Sequence, residues 1–99
     1  MKIIKDEYFT QNLERIILYI ADDSKPRARN FRNNLHKRLN SLDNFPYKFR
    51  KSIHFDNEYI RDYIFMGYTI PYLIDEKRDV IVVLDIFKWV EKWNHDNKI

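Results

Sequence analysis

The sequence predicts an α+β fold in which an α-helical hairpin packs on an antiparallel sheet. Two amphipathic segments with helical spacing lie in the first half of the chain, and three segments rich in β-branched and aromatic residues lie in the second half. A short opening strand precedes the helices, and a short C-terminal helix is expected at 88–94, after the last strand. The predicted order is therefore β-α-α-β-β-β in two layers, followed by that helix.

The chain of 99 residues is expected to form a single domain, 1–99, because no linker or low-complexity segment interrupts it. The composition is that of a globular protein, with 44% hydrophobic and 33% charged residues. Cysteine is absent, which excludes disulfides and thiolate metal sites. The first residues contain no long apolar stretch and no segment has the length of a membrane span, so we expect a cytoplasmic protein with no membrane partner.

The two helices are predicted from apolar stripes and capping residues. Asp6 suits the start of the first helix, and Ser24 suits the start of the second, whose first turn tolerates Pro26. The first stripe is Phe9, Leu13, Ile16, Ile17 and Ile20, and the second is Ala28, Phe31, Leu35, Leu39 and Leu42. Because the link between the helices is so short, they should fold back as an antiparallel hairpin.

The strands are predicted beyond Pro46, where the hydrophobic period changes, at 58–65, 68–75 and 80–87. Met66-Gly67 and the charged residues 76–79 mark the tight links of a meander. Residues 80–84 are apolar on both faces, which favours an inner strand. Pro71 lacks the N–H that a strand with two neighbours needs, so we expect either a bulge or an end of pairing there.

Positive charge is concentrated in the middle of the chain, although the net charge is only +3. Residues 25–51 contain nine lysines and arginines, and Asp43 is their only acidic residue. Such a segment can attract an acidic partner, either a nucleic acid or an acidic protein, or it can be a solvated helix face.

Four pieces of the sequence occur in an order and spacing that resemble a known superfamily. They are LERIILYIADDSKPRARNF, LDNFP, IRDYIFMGYTIPYLID and VIVVLDIF. With the predicted order of elements, they resemble the RelE/ParE toxins of bacterial type II toxin–antitoxin modules, and more closely the ParE branch. The resemblance covers nearly the whole chain. It implies a toxin that inhibits bacterial growth and is neutralised by a small antitoxin, for which the basic middle segment favours an acidic partner.

The two branches of the superfamily act differently. The ParE branch is understood to poison DNA gyrase, whereas the RelE branch cuts messenger RNA on the ribosome. RelE-like toxins usually carry an arginine after the first aromatic residue of a pattern that is here Tyr68-Thr69-Ile70-Pro71-Tyr72. Thr69 stands at that position, and a hydroxyl cannot replace a guanidinium that binds phosphate bidentately. The resemblance therefore favours a toxin that binds a protein target such as gyrase.

Two alternatives stay open at this point. The chain could be a ribosome-dependent endoribonuclease of the RelE type with a rearranged site, in which case Arg61, Lys88, His54 and Tyr72 are the catalytic candidates. It could also be an inactive family member that only binds its antitoxin. Operator DNA would be contacted only indirectly, through the antitoxin.

The resemblance also suggests contact residues. Candidates for the target are Arg61, Lys88, Trp89 and Trp93, and candidates for the antitoxin are Phe31, Leu35, Leu39, Arg32 and Arg38. Each has a structural alternative: the apolar stripe and the tryptophans can lie in the core, Arg61 can form an ion pair, and His54 can be polar surface. No cofactor is expected, and the three histidines are too isolated in sequence to predict a metal site.

Overall fold

The computed structural model describes residues 1–88 of the chain. The elements in chain order are β1 (Lys2–Lys5), α1 (Glu7–Asp23), α2 (Lys25–Asn40), a 3-10 turn (Leu42–Asn44), β2 (Ile60–Phe65), β3 (Tyr68–Asp75), β4 (Val80–Val83) and β5 (Phe87–Lys88). The predicted β-α-α-β-β-β order is confirmed. The helix predicted at 88–94 lies outside the described residues, except for Lys88, which belongs to β5.

Ser24 is the only residue between α1 and α2, and it serves both helices. Its N–H donates to the Ile20 carbonyl at 2.9 Å, which ends α1. Its Oγ accepts from the Arg27 N–H at 3.2 Å, which caps α2, and Pro26 lies in the first turn of that helix. The helices therefore fold back on each other as the predicted hairpin.

The core lies between this hairpin and one face of the sheet. The stripes of the two helices meet there, and Phe9, Leu35 and Leu39 are completely buried. The Phe31 ring packs edge-on against Phe65 and Tyr68, with ring centroids 5.4 and 5.6 Å apart. These contacts fix the position of α2 over β2 and β3.

The sheet is mixed, with the strand order β1-β4-β3-β2 and with β5 beside β3. The pairs β2–β3 and β3–β4 are antiparallel, whereas β1 runs parallel to β4. The sequence predicted an antiparallel sheet and did not predict this parallel pair. β4 lies between β1 and β3, as its apolar sequence predicts. No helix within residues 1–88 has the length and apolarity to cross a membrane.

The ladder beside Pro71 contains a β-bulge. Between the pairs Tyr72/Val83 and Thr69/Phe87, β3 contributes two residues and the opposing segment three. The Pro71 carbonyl accepts from the Leu84 N–H at 2.9 Å, so the backbone of Pro71 faces this irregular segment. Because the proline nitrogen carries no hydrogen, it donates no ladder hydrogen bond to that segment. The interruption divides the predicted strand 80–87 into β4 and β5.

A two-residue turn joins β2 to β3. Met66 and Gly67 both have positive φ, 48° and 84°, as a type I′ hairpin turn requires. Glycine adopts this conformation readily, but a residue with a Cβ atom pays about 1–2 kcal/mol for it. The Met66 side chain is exposed and makes no core contact that offsets this cost.

We therefore expect Met66→Asn to stabilise the protein, because asparagine tolerates the left-handed conformation and Asn-Gly is the preferred type I′ pair. The gain in the free energy of unfolding should be up to about 1 kcal/mol, measured by urea denaturation. Met66→Val is the matched control and should lower stability, since a β-branched residue is strained at positive φ. Equal stability of the two variants would contradict this interpretation of the turn.

Candidate functional site

Two side chains of the sheet, the buried Tyr72 and the partly buried Arg61, hold the segment 45–52, which we call the anchored loop. The Tyr72 hydroxyl donates to the Pro46 carbonyl at 2.6 Å. Arg61 Nη1 donates to the Tyr47 carbonyl at 3.2 Å and to the Phe49 carbonyl at 3.0 Å. Because Arg61 and Tyr72 are direct partners in the β2–β3 register, the two anchors lie side by side on the helix-facing side of the sheet.

Backbone hydrogen bonds continue the anchoring along the edge of β2. The Asp62 N–H donates to the Arg50 carbonyl at 3.1 Å, and the Ser52 N–H donates to the Ile60 carbonyl at 2.8 Å. Lys51 pairs with Arg61 as an isolated antiparallel bridge. The loop is therefore fixed as an added edge of the sheet.

The Asp62 carboxylate lies on the opposite face of the sheet and is 1% exposed. Its Oδ2 accepts from Arg50 Nη2 at 3.3 Å and from the Ile53 N–H at 3.2 Å. Its Oδ1 has no hydrogen-bond partner among the described residues, and neither has the hydroxyl of Thr69, which is 0% exposed. Thr69, at the position where RelE-like toxins carry an arginine, therefore points into a covered part of this face.

The four catalytic candidates do not come together. Arg61 and Tyr72 hold the anchored loop, whereas Lys88 is the register partner of Tyr68, four residues from Tyr72 along β3. This separation is about 13 Å at ~3.3 Å per residue. The His54 ring packs edge-on against Phe87 with centroids 5.0 Å apart, and successive strand residues project to opposite faces, so His54 and Lys88 lie on opposite sides of the sheet.

Burial raises the pKa of Tyr72 to about 12, and the nearby Arg61 charge offsets only part of that effect. The hydroxyl therefore keeps its proton at neutral pH and acts as a hydrogen-bond donor to the loop. It is unsuited to the role of a general base at that pH.

The residues predicted to bind an antitoxin divide into two groups. Phe31, Leu35 and Leu39 are buried between the hairpin and the sheet, so we assign them to the core. Arg32 lies on the hairpin surface, with Nη2 3.3 Å from Glu14 Oε2, and Arg38 is exposed beside the Tyr63 hydroxyl at 3.5 Å. These two arginines stay candidates for contact with an acidic partner. Trp89 and Trp93 lie outside the described residues.

An open groove of about 530 Å³ lies between α1 and β5, and we call it the α1–β5 groove. Eight residues line it, namely two cations, three aromatic residues, two aliphatic residues and one amide: Asn12, Arg15, Ile16, Tyr19, Tyr68, Ile86, Phe87 and Lys88. Asn12 Nδ2 donates to Asp85 Oδ1 at 2.7 Å, which joins α1 to the segment before β5. The Lys88 ammonium lies 5.3 Å from the centroid of the Tyr68 ring.

Sequence reasoning found Lys88 but missed Arg15 and Tyr19 in this groove. Both lie on the side of α1 that the hydrophobic stripe predicts to be solvated, and Tyr19 is 77% exposed. The only signal in the sequence was a large aromatic residue on that polar side. Within residues 1–88, no group of three or more histidine, aspartate or glutamate side chains could hold a metal ion.

Comparison with known proteins identifies the family. A family model described as "ParE toxin of type II toxin-antitoxin system, parDE" matches residues 3–93. The chain belongs to the ParE toxin family. Among solved structures, a chain from a chromosomal ParDE TA system from P. aeruginosa superposes with a TM-score of 0.74 at 14% identity, covering 91% of this chain and 97% of that one. A search of curated proteins gave no match.

The raised pKa of Tyr72 predicts alkaline destabilisation of this ParE family member. A folded-state pKa of about 12 against the ordinary value of 10.0 stabilises the folded protein fully below pH 10, and this contribution is lost as the pH rises towards 12. In Tyr72→Phe the fall in unfolding free energy over this range should be smaller. Near pH 7 that variant should be less stable by about 1 kcal/mol, because the bond to Pro46 is lost.

Thermal unfolding between pH 7 and pH 12 measures both effects. Part of the alkaline slope should remain in Tyr72→Phe, since the hydrogen bond to Glu76 also raises the pKa of Tyr47 to about 12. Tyr19→Phe is the matched control, because this exposed ring lies outside the anchoring contacts. Equal alkaline slopes in Tyr72→Phe and the unmodified protein would contradict the assignment.

Arg61 is expected to stabilise the anchored loop through its planar fork, which a lysine cannot reproduce. Arg61→Lys should lower the free energy of unfolding by about 1–3 kcal/mol, the usual cost of leaving buried polar groups unpaired. It should also speed cleavage by trypsin after Lys48, Arg50 and Lys51, measured by mass spectrometry of timed digests. Arg78→Lys, at the exposed β3–β4 turn, is the control. Unchanged digestion of Arg61→Lys would argue against the anchor.

Proposed function

We propose that this ParE family member is the toxin of a type II toxin–antitoxin system and inhibits bacterial growth by binding a protein target such as DNA gyrase. Membership of the family supports the role of toxin. The choice of binding over catalysis is carried by one observation, the separation of the four catalytic candidates. Arg61 and Tyr72 are engaged with loop carbonyls, and His54 and Lys88 lie on opposite faces of the sheet.

The α1–β5 groove is the proposed contact for the target. It offers the two cations Arg15 and Lys88 beside the rings of Tyr19 and Tyr68. Exposed aromatic residues next to positive charges are typical of surfaces that bind a protein segment with acidic and apolar side chains. Arg61, also a predicted target contact, would act on this interaction only indirectly because its guanidinium faces the anchored loop.

The antitoxin is proposed to be an acidic protein that neutralises the toxin in the cytoplasm. Arg32 and Arg38 on α2 are the described candidates for its carboxylates. The net charge of +3 and the basic middle segment support this charge complementarity. Operator DNA would be reached through the antitoxin.

A gyrase supercoiling assay beside a ribosome-programmed mRNA cleavage assay tests the proposal, with protein freed from its antitoxin in both. We expect inhibition of supercoiling without cleavage of mRNA. Site-specific cleavage would instead establish the RelE-type alternative. Ordinary growth after induced expression, together with inactivity in both assays, would establish an inactive antitoxin-binding member.

Loss of the groove cations should weaken the inhibition. We expect the double variant Arg15→Ala/Lys88→Ala to need a roughly tenfold higher concentration for half-inhibition of supercoiling, equivalent to ~1.4 kcal/mol of binding free energy. Both side chains are exposed, so the melting temperature should stay nearly unchanged. Arg78→Ala/Lys77→Ala removes the same charge at the β3–β4 turn and serves as the control. Equal potency of the two double variants would exclude the groove as the target contact.

A further inference from the structure

The tip of the anchored loop presents an aromatic ring among positive charges, on a surface separate from the α1–β5 groove. Phe45 is 72% exposed and is followed by Pro46 and by the exposed cation Lys48. A backbone hydrogen bond from the Lys48 N–H to the Phe45 carbonyl at 3.1 Å closes this tip into a turn. We call Phe45, Lys48 and the neighbouring Arg38 the Phe45 ridge.

Two grooves flank the ridge, and both are lined by Phe45, Lys48 and Asn44. One groove, of about 300 Å³, also includes Arg38 and the Ser41 side chain. The other, of about 570 Å³, continues over Pro46 and Tyr47. A ligand that follows the ridge would therefore meet two cations on one side of the ring and an apolar surface on the other.

Three carboxylates that lie beside the anchored loop or contact its residues are already engaged. Asp43 Oδ2 lies 3.8 Å from the N-terminal ammonium. Glu76 accepts the Tyr47 hydroxyl at 2.6 Å, and the buried Asp62 pairs with Arg50 at 3.3 Å. The ridge thus carries an excess of positive charge, to which the exposed Lys51 adds on the same loop.

The ridge is also held rigidly, because Tyr72 and Arg61 bind the carbonyls of Pro46, Tyr47 and Phe49. An exposed phenylalanine on a fixed turn loses little conformational freedom on binding, so its full stacking energy is available to a ligand. The Phe45 ring is therefore presented to solvent on a turn that side chains of the sheet hold in place.

From these observations we propose that the Phe45 ridge binds single-stranded nucleic acid. One unpaired base stacks on the Phe45 ring, and the adjoining phosphate lies in the smaller groove between Arg38 and Lys48. Stacking is open to every base and the ridge presents no base-specific pair of donors and acceptors, so binding tolerates differences of sequence. A duplex binds more weakly because its bases are not free to stack.

An acidic peptide fits the ridge less well. The larger groove beside the ridge is lined by Phe45, Pro46 and Tyr47, whereas the α1–β5 groove proposed for a protein segment adds the aliphatic side chains Ile16 and Ile86, which can contact the apolar side chains of a peptide. An exposed ring with two cations on one side matches a base and its phosphates more closely. Arg38 is also the proposed antitoxin contact, so antitoxin and nucleic acid exclude each other there. The ridge proposal itself does not depend on which target the toxin inhibits.

Fluorescence anisotropy with the purified full chain tests the proposal, with labelled twelve-nucleotide oligothymidine and oligouridine as probes. We expect both to bind with similar affinity, and the affinity to fall with salt. Phe45→Ala should weaken binding roughly tenfold or more, as loss of a stacked base does. Lys48→Ala should weaken it and reduce the log–log salt slope by about 0.7, the value for one phosphate contact on a single strand. Lys48→Arg should restore binding.

Matched controls separate this surface from general charge attraction. Phe55→Ala removes another exposed ring, and Lys25→Ala removes a cation at the far end of α2, so neither should change the affinity by more than about twofold. Circular dichroism should show that every variant is folded. Equal losses in Phe45→Ala and Phe55→Ala, or tighter binding of a duplex of the same length, would overturn the proposal. The proposal would also be overturned if polyphosphate at equal charge displaced the probe, or if an acidic peptide bound in a Phe45-dependent way in place of the oligonucleotides.

Discussion

The structure depends on a pair of neighbouring side chains that hold a loop by its carbonyl oxygens. Arg61 and Tyr72 lie opposite each other on β2 and β3, and together they satisfy three carbonyls of the segment that follows the helical hairpin. Carbonyls brought to the sheet without a donor would cost free energy, so these side chains make an ordered loop possible in a region without regular hydrogen bonding. The loop then extends the edge of β2 and covers part of the sheet.

The same arrangement affects what the protein can do. A guanidinium that binds two main-chain carbonyls, and a phenol whose proton is held by burial, are unavailable for reaction with a phosphodiester. On the other face, the side chains of Asp62 and Thr69 are covered. The proposed contact surfaces, the groove beside α1 and the ridge at the loop tip, are built by other residues. Within residues 1–88, the four catalytic candidates His54, Arg61, Tyr72 and Lys88 do not form one cluster.

The helical layer was predictable from sequence because its signals are local. Caps at Asp6 and Ser24 and two apolar stripes fall within one or two turns of each other, and each is confirmed. The sequence also predicted a bulge or an end of pairing at Pro71, since a missing N–H is a property of one residue. The structure has the bulge, with its extra residue in the segment opposite Pro71. The parallel pairing of β1 was not, because four residues with Lys-Ile-Ile-Lys composition carry no direction, and pairing with β4 spans most of the chain.

The candidate site was harder to predict for a related reason. The sequence singled out Arg61 and Lys88 as candidates, but the same pattern does not say whether such a long flexible side chain turns to a loop or to solvent. The strand register and the position of the loop decide whether the side chain meets the loop or solvent. Both depend on contacts between residues that are distant in sequence. Arg15, Tyr19 and Phe45 belong to no sequence motif. Their places in the two candidate surfaces appear only when the elements around them are assembled.

The bulge beside Pro71 also determines which side chains the end of the sheet displays. One additional residue between Val83 and Phe87 shifts the alternation of side chains, so that Lys88 shares a face with Tyr68 and Phe87 shares one with Thr69. In a regular ladder continued from Tyr72 and Val83 with the sequence unchanged, Phe87 would oppose Tyr68 and Lys88 would lie on the sheet surface away from the helices. The extra residue between Val83 and Phe87 therefore decides which surface of the sheet carries this cation.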